Sequence, residues 1–375
     1  PVPYESMQPP LFYLAAGLAS SPFSPSPEVL LYISRLVAAL FGVGTVYFIW
    51  AATRQILPAQ PGLALLTALC VALLPQFGWN SGMVTNDSAL NFTSALTVYA
   101  WCRGIRQPTY DPWLVKAGLA FGLAILAKLT ALALVPAFLL VIWVRARDPE
   151  GLSGRLFSPA IMRRMFSYSL VAGVSVLAVT GWWLVRNLIT YGEISGALNA
   201  FRYNAYSGVG GVYTESPPSL NQFLFDAFTS FIGRFSWFGV SDILLPTWLY
   251  TLWRLTIVGL VIGFAVFLLR RRGQTWRLKE RISSPAFAML LMLLVCTASI
   301  ALSFIQFNTQ VAHQPQGRYL FPLLLPLALA FNGSVYLFTR GLPNAVRQWC
   351  RLLPLGLVGL TYLVAITVFV QQRSI

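Results

Sequence analysis

Residues 114–143 read LVKAGLAFGLAILAKLTALALVPAFLLVIW. The run is apolar almost throughout, and Lys128 interrupts it in the middle. A hydrocarbon core about 30 Å thick needs roughly 20 apolar residues per helix, fewer where the helix is short or partly buried in protein. The stretch therefore predicts two short spans, 113–127 and 129–146, that join at Lys128 and are short enough to form a re-entrant pair.

Working outward, eight further spans are predicted at 28–53, 61–78, 86–104, 166–186, 246–270, 284–306, 319–340 and 352–371. The expected fold is an all-α polytopic transmembrane bundle with about ten spans. Composition agrees: of 375 residues, 57% are hydrophobic and 10% charged, and mean hydropathy is +0.68. Soluble domains carry about a quarter charged residues, so a water-soluble enzyme is excluded. Residues 11–19, after Pro9-Pro10, are too few to span and predict an interfacial helix. Four cysteines (Cys70, Cys102, Cys296, Cys350) have no CxxC spacing and no neighbouring His, and read as small apolar side chains.

The net charge of +15 would point to nucleic acid in a soluble protein; in a membrane protein its distribution over the loops matters more. Alternating the ten spans puts Arg54, Arg103, Arg106, Lys116, Arg145, Arg147, Arg155, Arg163, Arg164, Arg270 to Arg272, Arg277, Lys279, Arg281, Arg340, Arg347 and Arg351 on one face, which short basic loops mark as cytoplasmic. Seven acids (Glu5, Glu28, Asp87, Glu193, Glu215, Asp226, Asp242) face the other way. This topology places Pro1 outside and implies a preceding helix, hence eleven or more spans in the native protein. The segments read as residues 1–27 (part of a first outer loop), bundle 28–186, outer loop 187–245, and bundle 246–375. A short outer loop spans 307–318.

Charges at membrane depth are costly and tend to mark sites. Asn86-Asp87 opens the third span, Lys128 breaks the apolar run, Arg186-Asn187 closes the sixth span, and Gln316-Gly-Arg318-Tyr opens the ninth. The topology puts all four groups at the outer interface. Cations with one carboxylate suit an anionic lipid headgroup, since Arg offers a forked donor set and Lys a compact charge. The blander readings are snorkelling for Arg186, a buried pair for Lys128, and an N-cap for Asn86-Asp87. His313, the single histidine, reads as a loop residue, and no metal site is expected. Asn91-Phe-Thr93 matches a glycosylation sequon but falls inside a span and is read as chance. There is no Walker motif, Gly-x-Gly-x-x-Gly or nucleophile elbow, and the loops are too short for a soluble nucleotide-sugar domain.

Several stretches resemble, in order, segments of GT-C-type integral membrane glycosyltransferases and of a bacterial membrane family placed with them. They are Gln8-Pro-Pro-Leu-Phe-Tyr13, Leu74-Pro-Gln-Phe77 with Ser81-Gly-Met-Val-Thr-Asn-Asp87, Ala127-Lys-Leu-Thr-Ala131, Trp183-Leu-Val-Arg-Asn-Leu188 with Tyr191-Gly192, Gly233-Arg-Phe-Ser-Trp237, and Gln316-Gly-Arg-Tyr-Leu-Phe-Pro322. The resemblance implies an integral protein of the bacterial inner membrane, an extracytoplasmic active site and a polyprenyl-phosphate sugar donor, with no cofactor. It implies Glu5, or an acid upstream of it, as base, and Asp87 as the acid that orients the acceptor. Asn86, Lys128, Arg186, Asn187, Gln316 and Arg318 would bind the lipid phosphate and sugar. The competing expectation is a non-catalytic subunit of a larger membrane complex that keeps the fold; a lipid-linked sugar transporter ranks last, because few polar residues sit mid-span.

Overall fold

The computed structural model describes residues 8–23, 25–107, 112–147, 158–195, 219–237, 241–270, 284–310 and 315–373. Helix α1 (Leu11–Ser20) precedes α2 (Pro27–Ile56), α3 (Pro61–Ala72), α4 (Pro75–Ser81), α5 (Asn86–Arg106), α6 (Trp113–Ala127) and α7 (Val135–Arg147). Then come α8 (Pro159–Tyr191), α9 (Leu220–Gly233), a hairpin of β1 (Arg234–Trp237) and β2 (Ser241–Leu244), α10 (Thr247–Arg270), α11 (Pro285–Gln310), α12 (Leu324–Phe338) and α13 (Asn344–Arg373). The 3-10 segments Leu129–Leu134 and Gly317–Leu323 lead into α7 and α12. All ten predicted segments are helical, in a polytopic bundle. By length and apolarity, six helices can cross a membrane among the described residues, or seven if the bent pair α3–α4 is one span.

Local chemistry sets the helix ends. Ser26 and Ser158 accept from the amides of Val29 and Ile161, each followed by a proline at the first helical position, where its missing N–H costs nothing. Gly192, at φ 72°, takes the left-handed conformation that closes α8, its N–H donating to the Leu188 carbonyl. This helix is longer than predicted, starting at Pro159 and running to Tyr191, so Arg186-Asn187 lies within the last turns rather than closing the span. The span predicted at 61–78 is broken: α3 and α4 meet at 66°, because Pro75 starts a new helix where Leu74 is extended. The loop predicted at 187–245 contains α9 and the antiparallel hairpin, paired from Arg234↔Leu244 to Trp237↔Ser241. Tyr250 holds this unit to α10, its hydroxyl donating to the Gly233 carbonyl and accepting from the Leu245 N–H.

The limbs on either side of Lys128 form a full hairpin. Gly104, near the end of α5, sits against the Trp113 ring at the start of α6, whereas Lys128 after α6 reaches Asp87 at the start of α5. Those positions on α5 are about 25 Å apart at 1.5 Å per residue. The return limb ends beside the start, with Arg145 5.4 Å above the Trp113 ring. The hairpin thus runs the length of α5 and is not a shallow re-entrant loop. It packs tightly along α8: a Cβ on Gly118 would lie 2.9 Å from the Ala172 carbonyl, and one on Gly122 3.1 Å from that of Val176, the small-residue spacing of close membrane helix pairs. Inside, Trp101 of α5 is fully buried and stacks on Phe138 at 5.0 Å. Nearer the C-terminus, the Trp253 indole donates to Thr361 at 2.9 Å.

Basic residues collect at the end of the bundle opposite Asp87. There Arg106 donates to the Gln55 carbonyl and Arg164 to that of Ala146 at 3.2 Å. Contacts therefore reproduce the alternation of α2, α5, α6, α7 and α8. Helix α1 is docked rather than loosely apposed, with Phe12 fully buried against Phe41 of α2. Cys70, Cys102, Cys296 and Cys350 are free thiols.

Candidate functional site

The site is built from three segments that meet at one end of the bundle. Thr85 is extended and its hydroxyl accepts from the Asp87 amide at 3.3 Å. Thr85 is thus the N-cap of α5, and the capping role considered for Asn86-Asp87 is filled. Freed from it, the Asp87 side chain turns into the protein, 4% exposed. Lys128 lies where α6 stops: its backbone is extended (φ −162°, ψ 137°) between an α-helix and a 3-10 turn, so its side chain leaves the hairpin apex. Its Nζ meets Asp87 Oδ1 at 2.5 Å. Arg318, in the 3-10 segment before α12, brings Nε to 3.4 Å from Asp87 Oδ2.

Each carboxylate oxygen therefore faces one cation. Burial makes these charges interact strongly, and leaving one uncompensated is expensive. Tyr319 lies beside both cations, its ring centre 4.8 Å from Lys128 Nζ and 5.4 Å from the Arg318 guanidinium carbon. An aromatic face at this distance attracts a cation without neutralising it. Lys128 and Arg318 remain 16% and 28% exposed, so both cations stay partly open. Chemically, this arrangement can receive an anion.

The segment carrying Arg318 is fixed from behind. The Gly317 amide donates to Ser230 Oγ of α9 at 2.8 Å, and a Cβ on Gly317 would stand 2.3 Å from the Phe231 backbone. Phe321 packs against Phe231 and against Phe77 of α4 at 5.8 and 6.0 Å. On the other side, Asn86 donates to the Gln8 side chain at 3.2 Å. The sequence stretches beginning at Gln8, Leu74, Ala127 and Gln316 thus meet around Asp87.

The remaining sequence-predicted residues are placed differently. Gln316 is half-buried at the start of the 3-10 segment, its carbonyl accepting from the Tyr319 amide. Arg186 lies over the rings of Trp183 and Tyr191 at 4.6 and 5.1 Å and donates to Asn187 Oδ1 at 3.0 Å. Asn187 is fully buried and donates to the Ile194 carbonyl. These two fasten the end of α8, and none of these contacts reaches Asp87. Glu5 and His313 lie outside the described residues. Sequence reasoning missed Gln8, Thr85 and Ser230. Thr85 carried a signal, as a Thr just before an acidic first turn; Ser230, one of several hydroxyls in its loop, carried none. Among the described residues, no three His, Cys, Asp or Glu side chains come together as metal ligands.

Comparisons with known proteins agree with this architecture. Residues 8–150 match the family model of dolichyl-phosphate-mannose-protein mannosyltransferases. No curated protein sequence matches the chain. Among solved structures, it is similar to the archaeal oligosaccharyltransferase AglB from Archaeoglobus fulgidus in complex with an inhibitory peptide and a dolichol-phosphate. The TM-score there is 0.51 at 14% identity, over 96% of this chain and 47% of that one. A crystal structure of the Archaeoglobus fulgidus oligosaccharyltransferase with Zn and sulfate matches with a TM-score of 0.51 at 15% identity, over 96% and 44%. The chain spans less than half the length of these structures. Over nearly its whole length the chain has the fold of these oligosaccharyltransferase structures, in keeping with the resemblance to GT-C-type integral membrane glycosyltransferases.

Proposed function

We propose that the protein transfers a sugar from a polyprenyl-phosphate donor to an extracytoplasmic acceptor, with Lys128 and Arg318 gripping the donor phosphate. The observation that carries this reading is the convergence of two partly exposed cations from distant segments on the buried Asp87 carboxylate. The mannosyltransferase family match over residues 8–150, which include Asp87 and Lys128, supports it. So does the dolichol-phosphate named in the complex of the structurally similar oligosaccharyltransferase.

In this reaction an acceptor hydroxyl oxygen bonds to the anomeric carbon while the bond from that carbon to the phosphate oxygen breaks. The electron pair leaves with polyprenyl phosphate, and the hydroxyl proton passes to a base, for which Glu5 is our candidate. Lys128 and Arg318 offset the charge that develops on the departing phosphate. Both oxygens of Asp87 face cations, which suits it to holding them in place and, through them, orienting the reactants.

The test is release of polyprenyl phosphate from labelled polyprenyl-phosphate sugars by the purified protein in nanodiscs. Lys128→Ala and Arg318→Ala should each lower release at least about 100-fold, the scale of losing one preorganised charge contact, while Arg186→Ala should cost much less. Full activity in both cation variants would remove the phosphate grip. Binding of the lipid without any turnover would favour the non-catalytic subunit.

A further inference from the structure

Asp87 stands on a face of α5 that continues inward through Asn91 and Ser94, four and seven residues on. Both are buried, at 2% and 1% exposed. Among the described residues, neither polar atom of the Asn91 amide, nor Ser94 Oγ, has a hydrogen-bond partner. This separates them from Thr93 and Thr97 of the same helix, whose hydroxyls donate to the carbonyls of Ala89 and Thr93 at 2.7 Å. Phe92 and Tyr99 turn toward α2, against Phe41 and Phe48. The Asn91–Ser94 face lies about 120° around α5 from those two rings, away from α2. Val98, buried and apolar, closes the polar column from below.

Side chains on a helix lean toward its N-terminus, so Asn91 reaches up toward Asp87 from a Cα about 6 Å below it. An amide with both groups bare in an apolar interior is costly, and proteins satisfy such groups with internal water that makes about three hydrogen bonds. The carboxylate above offers roughly four acceptor sites, and the two cations do not use them all. We infer that Asn91 and Ser94 hold internal water beneath Asp87, and that this water donates to the carboxylate. The two are then positioning residues: they fix the angle of Asp87 and, through it, the separation of Lys128 and Arg318. The effect on lipid binding rests on the phosphate-grip reading, whereas the water itself does not.

The experiment compares Asn91→Leu, close in volume but without polar atoms, with Asn91→Ser, which keeps a hydroxyl and leaves room for water. The first readout is the infrared carboxylate band of Asp87, identified by its loss in Asp87→Asn. The second is affinity for polyprenyl phosphate in nanodiscs. Asn91→Leu should shift the band and weaken binding about tenfold, the size of a hydrogen bond to a charged group, and Asn91→Ser should restore both. An unmoved band, with Asn91→Leu as stable as the parent or more so, means the amide is dry and overturns the inference. Should Asn91→Leu fail to fold, Ser94→Ala, which removes a single oxygen, carries the same band measurement with the same two outcomes. A shifted band with lipid affinity insensitive to Lys128→Ala and Arg318→Ala would keep the water and discard the phosphate grip.

Discussion

Lys128 and Asp87 are 41 residues apart in the chain and 2.5 Å apart in the structure. The contact ties the apex of the hairpin to the start of α5, so one bond aligns the two helices. Removing one member of a buried ion pair leaves its partner uncompensated, whereas removing both together does not. Lys128→Met and Asp87→Leu should each cost about 3–5 kcal/mol in stability. The double variant should cost less than their sum by about 1–3 kcal/mol. Denaturant titration in mixed micelles measures this, and strict additivity would mean the pair is not coupled.

Gly317 has no room for a side chain, since its Cβ would enter the Phe231 backbone. Gly317→Ala must push the 3-10 segment away from α9 and carry Arg318 with it. It should destabilise the protein by about 1–3 kcal/mol, as overpacking does, and impair transfer as well. Gly333→Ala on α12 meets nothing within 4 Å and serves as the control. Equal melting temperatures for the two variants would contradict the close approach.

The charge distribution orients the bundle, and labelling can read that orientation. In a background with Cys70, Cys102, Cys296 and Cys350 replaced, Ile194→Cys should react with a membrane-impermeant maleimide in intact spheroplasts. Ile194 is 57% exposed, just beyond the end of α8. Arg163→Cys, exposed on the first turns of the same helix, should react only after permeabilisation. Labelling in the reverse order would invert the topology and put Asp87 on the cytoplasmic face.

What was legible in the sequence was whatever depends on long apolar runs and on charges inside them. The ten helical segments follow from hydropathy, and Lys128 stood out as a cation in an apolar run. Boundaries set by local geometry were harder to read. Arg163 and Arg164 lower the hydropathy where α8 begins, which hid the Ser158-Pro159 start signal. Pro75 broke a run whose composition was uniform. Helix α9 lies in a stretch of aromatic and polar residues whose helicity depends on its contacts with the Gly317–Leu323 segment and α4. The partnership of Asp87 with two cations is tertiary: order and spacing suggested a common interface, and only the fold shows that Arg318 joins it while Arg186 stacks on its own helix.

The hydrogen bond from Gly317 to Ser230 joins α9 to the segment that carries Arg318. Helix α9 and the Gly317–Leu323 segment are thus packed as one unit at the Asp87 end of the bundle. A substitution that displaces α9 would therefore reach Arg318 through the neighbouring glycine, without altering Asp87 or Lys128 themselves.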